Sequence, residues 1–211
     1  MAIVKTSVLE SIKGSVGRSS FYVREGEFIW RKKSSMSRKN TSPAMLERQL
    51  KFKTTETLGA QMLAALRMGF PVRPWGWTPV GMFMNRNKGI VTVDDVTTGM
   101  VTVSFPDLVC AEGGLVPPTV SVSREANQLS FTVTATEESP YSATDDTIHA
   151  VVVQLEKRPR CIMQTLGTRG EGGISTMNIP TFLQGGALHV YVFAASADRK
   201  KSSDSIYLPL E

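Results

Sequence analysis

The chain has 211 residues, 41% hydrophobic and 20% charged, enough to bury a sizeable core without covalent staples. No stretch is long or apolar enough to span a membrane, and two isolated cysteines without CxxC spacing argue against a zinc site or a disulfide framework. The net charge of +5 is unevenly placed: residues 1–60 hold 12 lysines and arginines against 5 acidic residues, the remainder 12 against 14. A basic front on a nearly neutral body points to a negatively charged partner, nucleic acid or an acidic protein face.

The first residues, MAIVKTSVLESIKG, lack a continuous apolar run and a small-residue cleavage site. The expectation is a virion or cytoplasmic protein without a signal peptide. Residues 1–20, with Gly14 and Gly17, suggest a flexible or tightly turned lead-in rather than a regular element. Phe21–Val23 and Phe28–Trp30 then suit two strands joined by the turn Arg24-Glu25-Gly26-Glu27. The second strand runs into Arg31-Lys32-Lys33 and a Ser-rich basic linker carrying Arg38 and Lys39. A lone hairpin is marginal in water, so this aromatic arm (1–40) is expected either to complete a sheet of its own molecule or to reach a neighbouring chain.

Residues 41–70 predict one long helix. Thr41 or Ser42 suits the N-cap and Pro43 the first helical position, while Gly69 suits a left-handed C′ residue ahead of Pro71. Leu46, Leu50, Leu58, Met62 and Leu66 form an i, i+4 row, opposite a face carrying Glu47, Arg48, Lys51, Lys53 and Glu56. The first half is a mostly charged rod, the second apolar enough to be buried. Residues 71–89, rich in proline, glycine and tryptophan, predict a structured loop whose Trp75 and Trp77 pack over the end of the core, with stacking on bases or sugars beside Arg73 as the alternative.

From residue 90 to 211, short alternating stretches recur between turn-rich separators: IVTV, MVTVSF, LVC, TVSVS, LSFTVTA, IHAVVVQL, CIMQTL, ISTMNI, LHVYVFAA and SSDSIYL. This spacing predicts an antiparallel β-sandwich, immunoglobulin-like in topology though without the Cys…Trp…Cys pattern of an antibody domain. The fold class is therefore mainly β, with an N-terminal hairpin arm and one long helix before the sandwich. Ala150–Leu155 and Val190–Ala195, the most continuously apolar runs, belong at its centre.

The order KGSVG, FYVREGEFIWRKK, TSPAMLERQLKFK and RMGF, with PDLVCAEGGL, Asp145-Asp146 and HVYVFAASADRKKSSDSIYL downstream, resembles an uncharacterised family of Bacteroidetes proteins and of phages of that phylum. The likeness spans essentially the whole chain, with Thr41-Ser42-Pro43 in place of Thr-Pro and a loop richer in tryptophan. It implies an arm and helix ahead of a β-sandwich, no assigned enzymatic activity and an association with phage particles.

A catalytic constellation does not emerge. His149 and His189 lie in apolar strands. GTRGEGG lacks the following Lys-Ser/Thr of a phosphate loop and suits a hairpin loop. Asp94-Asp95, Asp145-Asp146, Asp198 and Asp204 lack calcium-loop spacing and suit turns. No catalytic, cofactor or metal residue is assigned, and Cys110 and Cys161 suit two small core residues, with pairing between them left open. The expected role is that of a non-enzymatic phage virion assembly protein, binding other subunits, copies of itself included, and no membrane. Its contact residues would be Tyr22, Arg24, Trp30, Arg31, Lys32, Lys33, Arg38, Lys39, Arg48, Lys51 and Lys53. The alternatives are a nucleic-acid-associated protein using the same basic segment, with Tyr22 and Trp30 stacking on bases, and an adhesion-type sandwich. An acidic loop (Glu137, Glu138, Asp145, Asp146) offers a counterpart to the basic front of another copy.

Overall fold

The computed structural model describes residues 2–3, 14–24, 27–33, 42–155 and 158–210. The chain divides into two compact units, 1–42 and 43–211. In the first, β3 (Ser19–Arg24) and β4 (Glu27–Lys32) form the expected hairpin, with Phe21 opposite Trp30 and Tyr22 opposite Ile29. Residues 25–26 of its turn lie outside the described residues. Contrary to the expected irregular lead-in, β1 (Ala2–Ile3) and β2 (Gly14–Val16) flank this hairpin in an antiparallel sheet of order β1-β4-β3-β2. Four strands bury more than two and relieve the marginality of a hairpin alone.

The second unit is mainly β, with antiparallel sheets packed in a sandwich. One sheet has the order β10-β9-β12-β13, formed by β9 (Thr147–Leu155), β10 (Pro159–Thr168), β12 (Leu188–Ala195) and β13 (Ile206–Leu208). The other, β11-β8-β7, is formed by β7 (Val120–Glu125), β8 (Gln128–Val133) and β11 (Gly173–Asn178). The two continuously apolar runs are the inner strands β9 and β12, as expected. Their period-2 side chains explain why. Ala150, Val152, Val190 and Val192 face the core shared with Leu129, Phe131 and Met177 of the second sheet. Val151, Val153, Tyr191 and Phe193 face a second core on the opposite side. A sheet covered on both faces needs near-continuous hydrophobic strands.

That second core is closed by helices. The span expected to be one helix runs as α1 (Pro43–Gln61) and α2 (Leu63–Gly69), separated at Met62, whose φ −87°, ψ 7° interrupts the regular backbone while Leu58–Met62 and Met62–Leu66 bonds continue across it. Pro43 opens α1 as expected; Thr41 lies outside the described residues. Two threonines in mid-helix spend their hydroxyls on i−4 carbonyls, Thr55 on Lys51 (2.9 Å) and Thr57 on Lys53 (2.7 Å). Gly69 is not a left-handed cap. It is the last residue of α2, and Phe70 follows at φ −122°. Its missing side chain serves close packing instead: a Cβ there would lie 2.7 Å from Ala111 Cβ and collide with the Cys110 carbonyl.

The 71–89 segment holds a helix that composition did not reveal, α3 (Pro79–Arg86). The Thr78 hydroxyl caps it by accepting from Gly81 N–H (3.0 Å), and Pro79 sits in its first turn. Buried Asn87 fastens its end, donating to the Phe83 and Val109 carbonyls and accepting from Val109 N–H. The hairpin of β5 (Val91–Asp95) and β6 (Met100–Val103) belongs to neither sandwich sheet. Its Val91 and Val103 join Leu58, Leu66 and Phe83 in the helical core. The LVC stretch is not a strand, because Leu108 and Cys110 are buried in an irregular segment. GTRGEGG is not a hairpin loop either. It carries the chain from β10 in one sheet to β11 in the other, with Gly172 and Gly173 at φ +59° and +106°.

Candidate interaction surface

Exposure separates α1 into two parts. None of residues 43–54 is buried, whereas Thr55, Leu58 and Gly59 are. The basic-rod half and the core half are thus where the sequence placed them, with one difference. Leu46 heads the apolar row but lies on the exposed part, together with Met45 and Phe52, the last 62% exposed. Large apolar side chains are thus displayed on a helix segment that has no buried residue.

The basic residues proposed as contacts are distributed as follows. On α1, Arg48 and Lys53 are exposed, and Lys51 is held by Glu47 one turn earlier at 2.6 Å. Lys51 in turn keeps the Glu47 carboxyl below its ordinary pKa, through the hydrogen bond first and the charge second. On β4 Trp30, Arg31 and Lys32 are exposed, as is Lys33 just after it. Strand alternation puts Trp30 and Lys32 on one face and Arg31 on the other, so the basic run does not make a single patch. Trp30 stacks on Phe21 (centroids 6.2 Å), which also stacks on Phe28 (5.8 Å), and Tyr22 is half-buried. Arg24 ends β3 opposite Glu27. Arg38 and Lys39 lie outside the described residues.

The tryptophans of the 71–78 loop do not cover the core. Trp75 is 85% and Trp77 43% exposed, beside Val72 at 78%. The reason is local: Trp77 N–H bonds the Pro74 carbonyl (3.1 Å) with Gly76 at φ +77°, a tight turn that leaves the indoles at its tip. Phe70 and Phe83 fill the core below, and Arg73 donates to the Phe70 carbonyl. Sequence reasoning missed Phe52, Trp75 and Trp77 as surface residues. The available signals were an aromatic off the leucine row and a Pro-Trp-Gly-Trp turn.

Several of the turn aspartates are occupied structurally. Asp95 accepts from Thr97 N–H and the Thr98 hydroxyl, Asp198 from the Ser196 hydroxyl and Lys200 N–H, and these bonds hold both carboxyls below their ordinary pKa. Asp94 accepts from Thr102 and Asp204 from Gly113 N–H. Asp146 is withdrawn from the expected acidic loop. It is fully buried, forms an ion pair with buried Arg169 and accepts from Ala143 N–H (3.0 Å), leaving Glu137, Glu138 and Asp145 exposed. Among the described residues no cluster of His, Cys, Asp or Glu could hold a metal ion. Cys110 and Cys161 are both free thiols, each pushed up to about 12 by burial.

Both histidines are engaged. Thr147 spends its hydroxyl hydrogen on the Ala195 carbonyl (3.2 Å), so it accepts from His149 Nε2 (3.1 Å), and Thr165 donates to Nδ1 (3.1 Å). That arrangement suits the neutral ring, and burial first, then nearby Arg199, lowers its pKa. His189 lies against Phe105 at 3.7 Å between centroids, and burial lowers its pKa as well. Both folded values lie below the unfolded one, so the unfolded chain binds more protons as pH falls through about 6.5. The melting temperature is expected to drop between pH 7 and 5, and His149→Gln to flatten that slope in melts followed by circular dichroism.

Comparison with protein-family models, with curated proteins and with solved structures gave no match.

Proposed function

We propose that this chain is a non-enzymatic assembly protein, a component of a phage particle, that docks on neighbouring protein subunits through its N-terminal arm and the exposed half of α1. The observation that carries the reading is the 43–54 stretch, with Met45, Leu46 and Phe52 displayed beside Arg48 and Lys53. An aromatic and a methionine ringed by cations are the composition of an interface core with a polar rim. The sandwich supplies a rigid base. Its strand order supports the immunoglobulin-like reading: counting from β7, the first, second and fifth strands form one sheet and the others the second. The likeness to proteins of Bacteroidetes phages supports the particle context.

The exposed Trp30, with Lys32 on the same face of β4, favours a second reading, contact with single-stranded nucleic acid by stacking and phosphate neutralisation. Sedimentation velocity of the full chain at low and high salt, with nucleic acid removed and then added back, separates the two. The expected result is a discrete oligomer without nucleic acid that Met45→Asp with Phe52→Asp weakens. A monomer that shifts only with nucleic acid, and only at low salt, transfers the function to the second reading.

A further inference from the structure

The edge of the sandwich at β7 is open. In the β7–β8 ladder Thr119 O accepts from Thr134 N–H (3.0 Å), and the register pairs Ser121 with Thr132 and Ser123 with Ser130. Hydrogen-bonded and non-bonded pairs alternate along an antiparallel ladder, so the odd-numbered residues bond to β8. Val120, Val122 and Arg124 direct their N–H and C=O groups away from it, and no strand lies on that side among the described residues. The side chains of Val120 and Val122 turn inward, and with Leu208 and Pro209 they line a slot of about 480 Å³ along the same edge.

The other three edges of the sandwich are defended. β10 carries Pro159, Arg160 and a register break between Thr165 and Gly167. The Thr176 carbonyl of β11 accepts from the Gln164 side chain (3.1 Å). β13 is three residues long and is followed by Pro209. β7 has no proline, lysine or bulge, and its one cation, Arg124, turns back to the Ala126 carbonyl. Long undefended edges pair with other strands.

We propose that β7 pairs antiparallel with β7 of a second copy about a two-fold axis through Val122. In that register Val122 faces Val122 of the partner subunit and Val120 faces the partner's Arg124, so every outward N–H and C=O finds a mate and the proline pair before β7 stays beyond the ladder. Charge permits it: Arg124 of the two copies lie at opposite ends. On the outer face Ser121, an exposed small hydroxyl, meets the partner's Ser123, and the partner's Val122 closes the mouth of the slot. The axis makes the contact isologous and self-limiting. It is a different surface from the arm and α1 and does not rest on the function proposed for them.

The test uses sedimentation of the full chain. Because Ser121 and Ser123 are exposed and face each other across the axis, Ser121→Lys with Ser123→Lys sets like charges opposite twice, without touching the core. The expected result is a wild-type dimer whose Kd that pair raises about tenfold or more, while Ser121→Glu with Ser123→Lys, which sets opposite charges facing each other, restores it. Melting curves of both variants confirm that they fold. A wild-type chain that does not dimerise overturns the proposal. So does a dimer indifferent to both β7 variants but lost with Met45→Asp and Phe52→Asp, which leaves the α1 reading standing alone.

Discussion

Asp146→Ala is expected to lower the melting temperature by roughly 10 °C or more. Asp146 and Arg169 are both fully buried, with Arg169 Nε 3.4 Å from Asp146 Oδ2. The guanidinium makes one hydrogen bond, from Nη2 to the Val116 carbonyl (2.6 Å), while Nε and Nη1 have no hydrogen-bond partner. Among the described residues the carboxylate is thus the ion-pair partner of a cation sealed from water. Removing one member of such a pair costs about 3–5 kcal/mol, and for a chain of this size each kcal/mol is worth about 2–4 °C. The residues also join three segments: Arg169 N–H bonds the Asp146 carbonyl (2.8 Å), Thr136 N–H bonds the Arg169 carbonyl, and Val116 N–H bonds the Tyr141 carbonyl (2.9 Å). Replacing both at once, Arg169→Met with Asp146→Leu, is expected to cost far less than Asp146→Ala alone and to match or exceed wild type. Two buried donors without acceptors are a liability of about 1–3 kcal/mol each, and the double replacement removes them. Thermal melts of the three proteins decide it. A single variant melting within two or three degrees of wild type, an order-of-magnitude margin on the same conversion, would show that the pair is not the lock described.

The sandwich was legible because its signal is period two over many short segments. Val120–Ser123 alternates and has one covered face, and the unbroken runs Ala150–Leu155 and Val190–Ala195 are covered on both. The helical span was legible from Pro43 and the leucine row, and its change from charged to apolar foretold where burial begins. What was not legible depends on partners distant in sequence. Gly69 ends an apolar helix before a proline and so looks like a cap, but its neighbours Cys110 and Ala111 arrive from elsewhere. Arg169 sits in a glycine-rich turn, where arginine is ordinarily solvated, and only the fold shows it facing Asp146. Trp75 and Trp77 have the composition of a core cover, and a four-residue turn sends them outward. α3 was hidden because proline and glycine dominate 71–89, although Thr78-Pro79 is itself a helix start. For the proposed contact surface, charge pattern singled out the basic segment but not the exposed Met45 and Phe52 within it, because exposure is a property of the packed body.

Gly69→Ala is expected to destabilise the second unit by about 3 kcal/mol or more, at the upper end of what overpacking costs. The new methyl would meet backbone, not a flexible side-chain tip: the Cys110 carbonyl and Ala111 Cα at 2.8 Å. Backbone cannot step aside without breaking what it holds, and here it holds much. The Gly69 carbonyl accepts from Glu112 N–H (2.9 Å), and the one hydrogen of the buried Ser202 hydroxyl is shared between the Gly69 (2.9 Å) and Glu112 (2.8 Å) carbonyls. Ser203 continues the junction, its hydroxyl accepting from Ala194 N–H of β12 (2.9 Å). Separating α2 from 110–112 would therefore loosen the attachment of the helical core to the central sheet, and with it the cover over Tyr191 and Phe193. Gly89→Ala is the matched control. A Cβ there meets nothing within 4 Å, and its backbone is not left-handed, so the loss of unfolded-state freedom should leave it neutral or slightly stabilising. Urea titrations of both variants read the difference directly. If Gly69→Ala and Gly89→Ala unfold at the same midpoint, the close approach at Gly69 is not what fastens α2 to the sandwich.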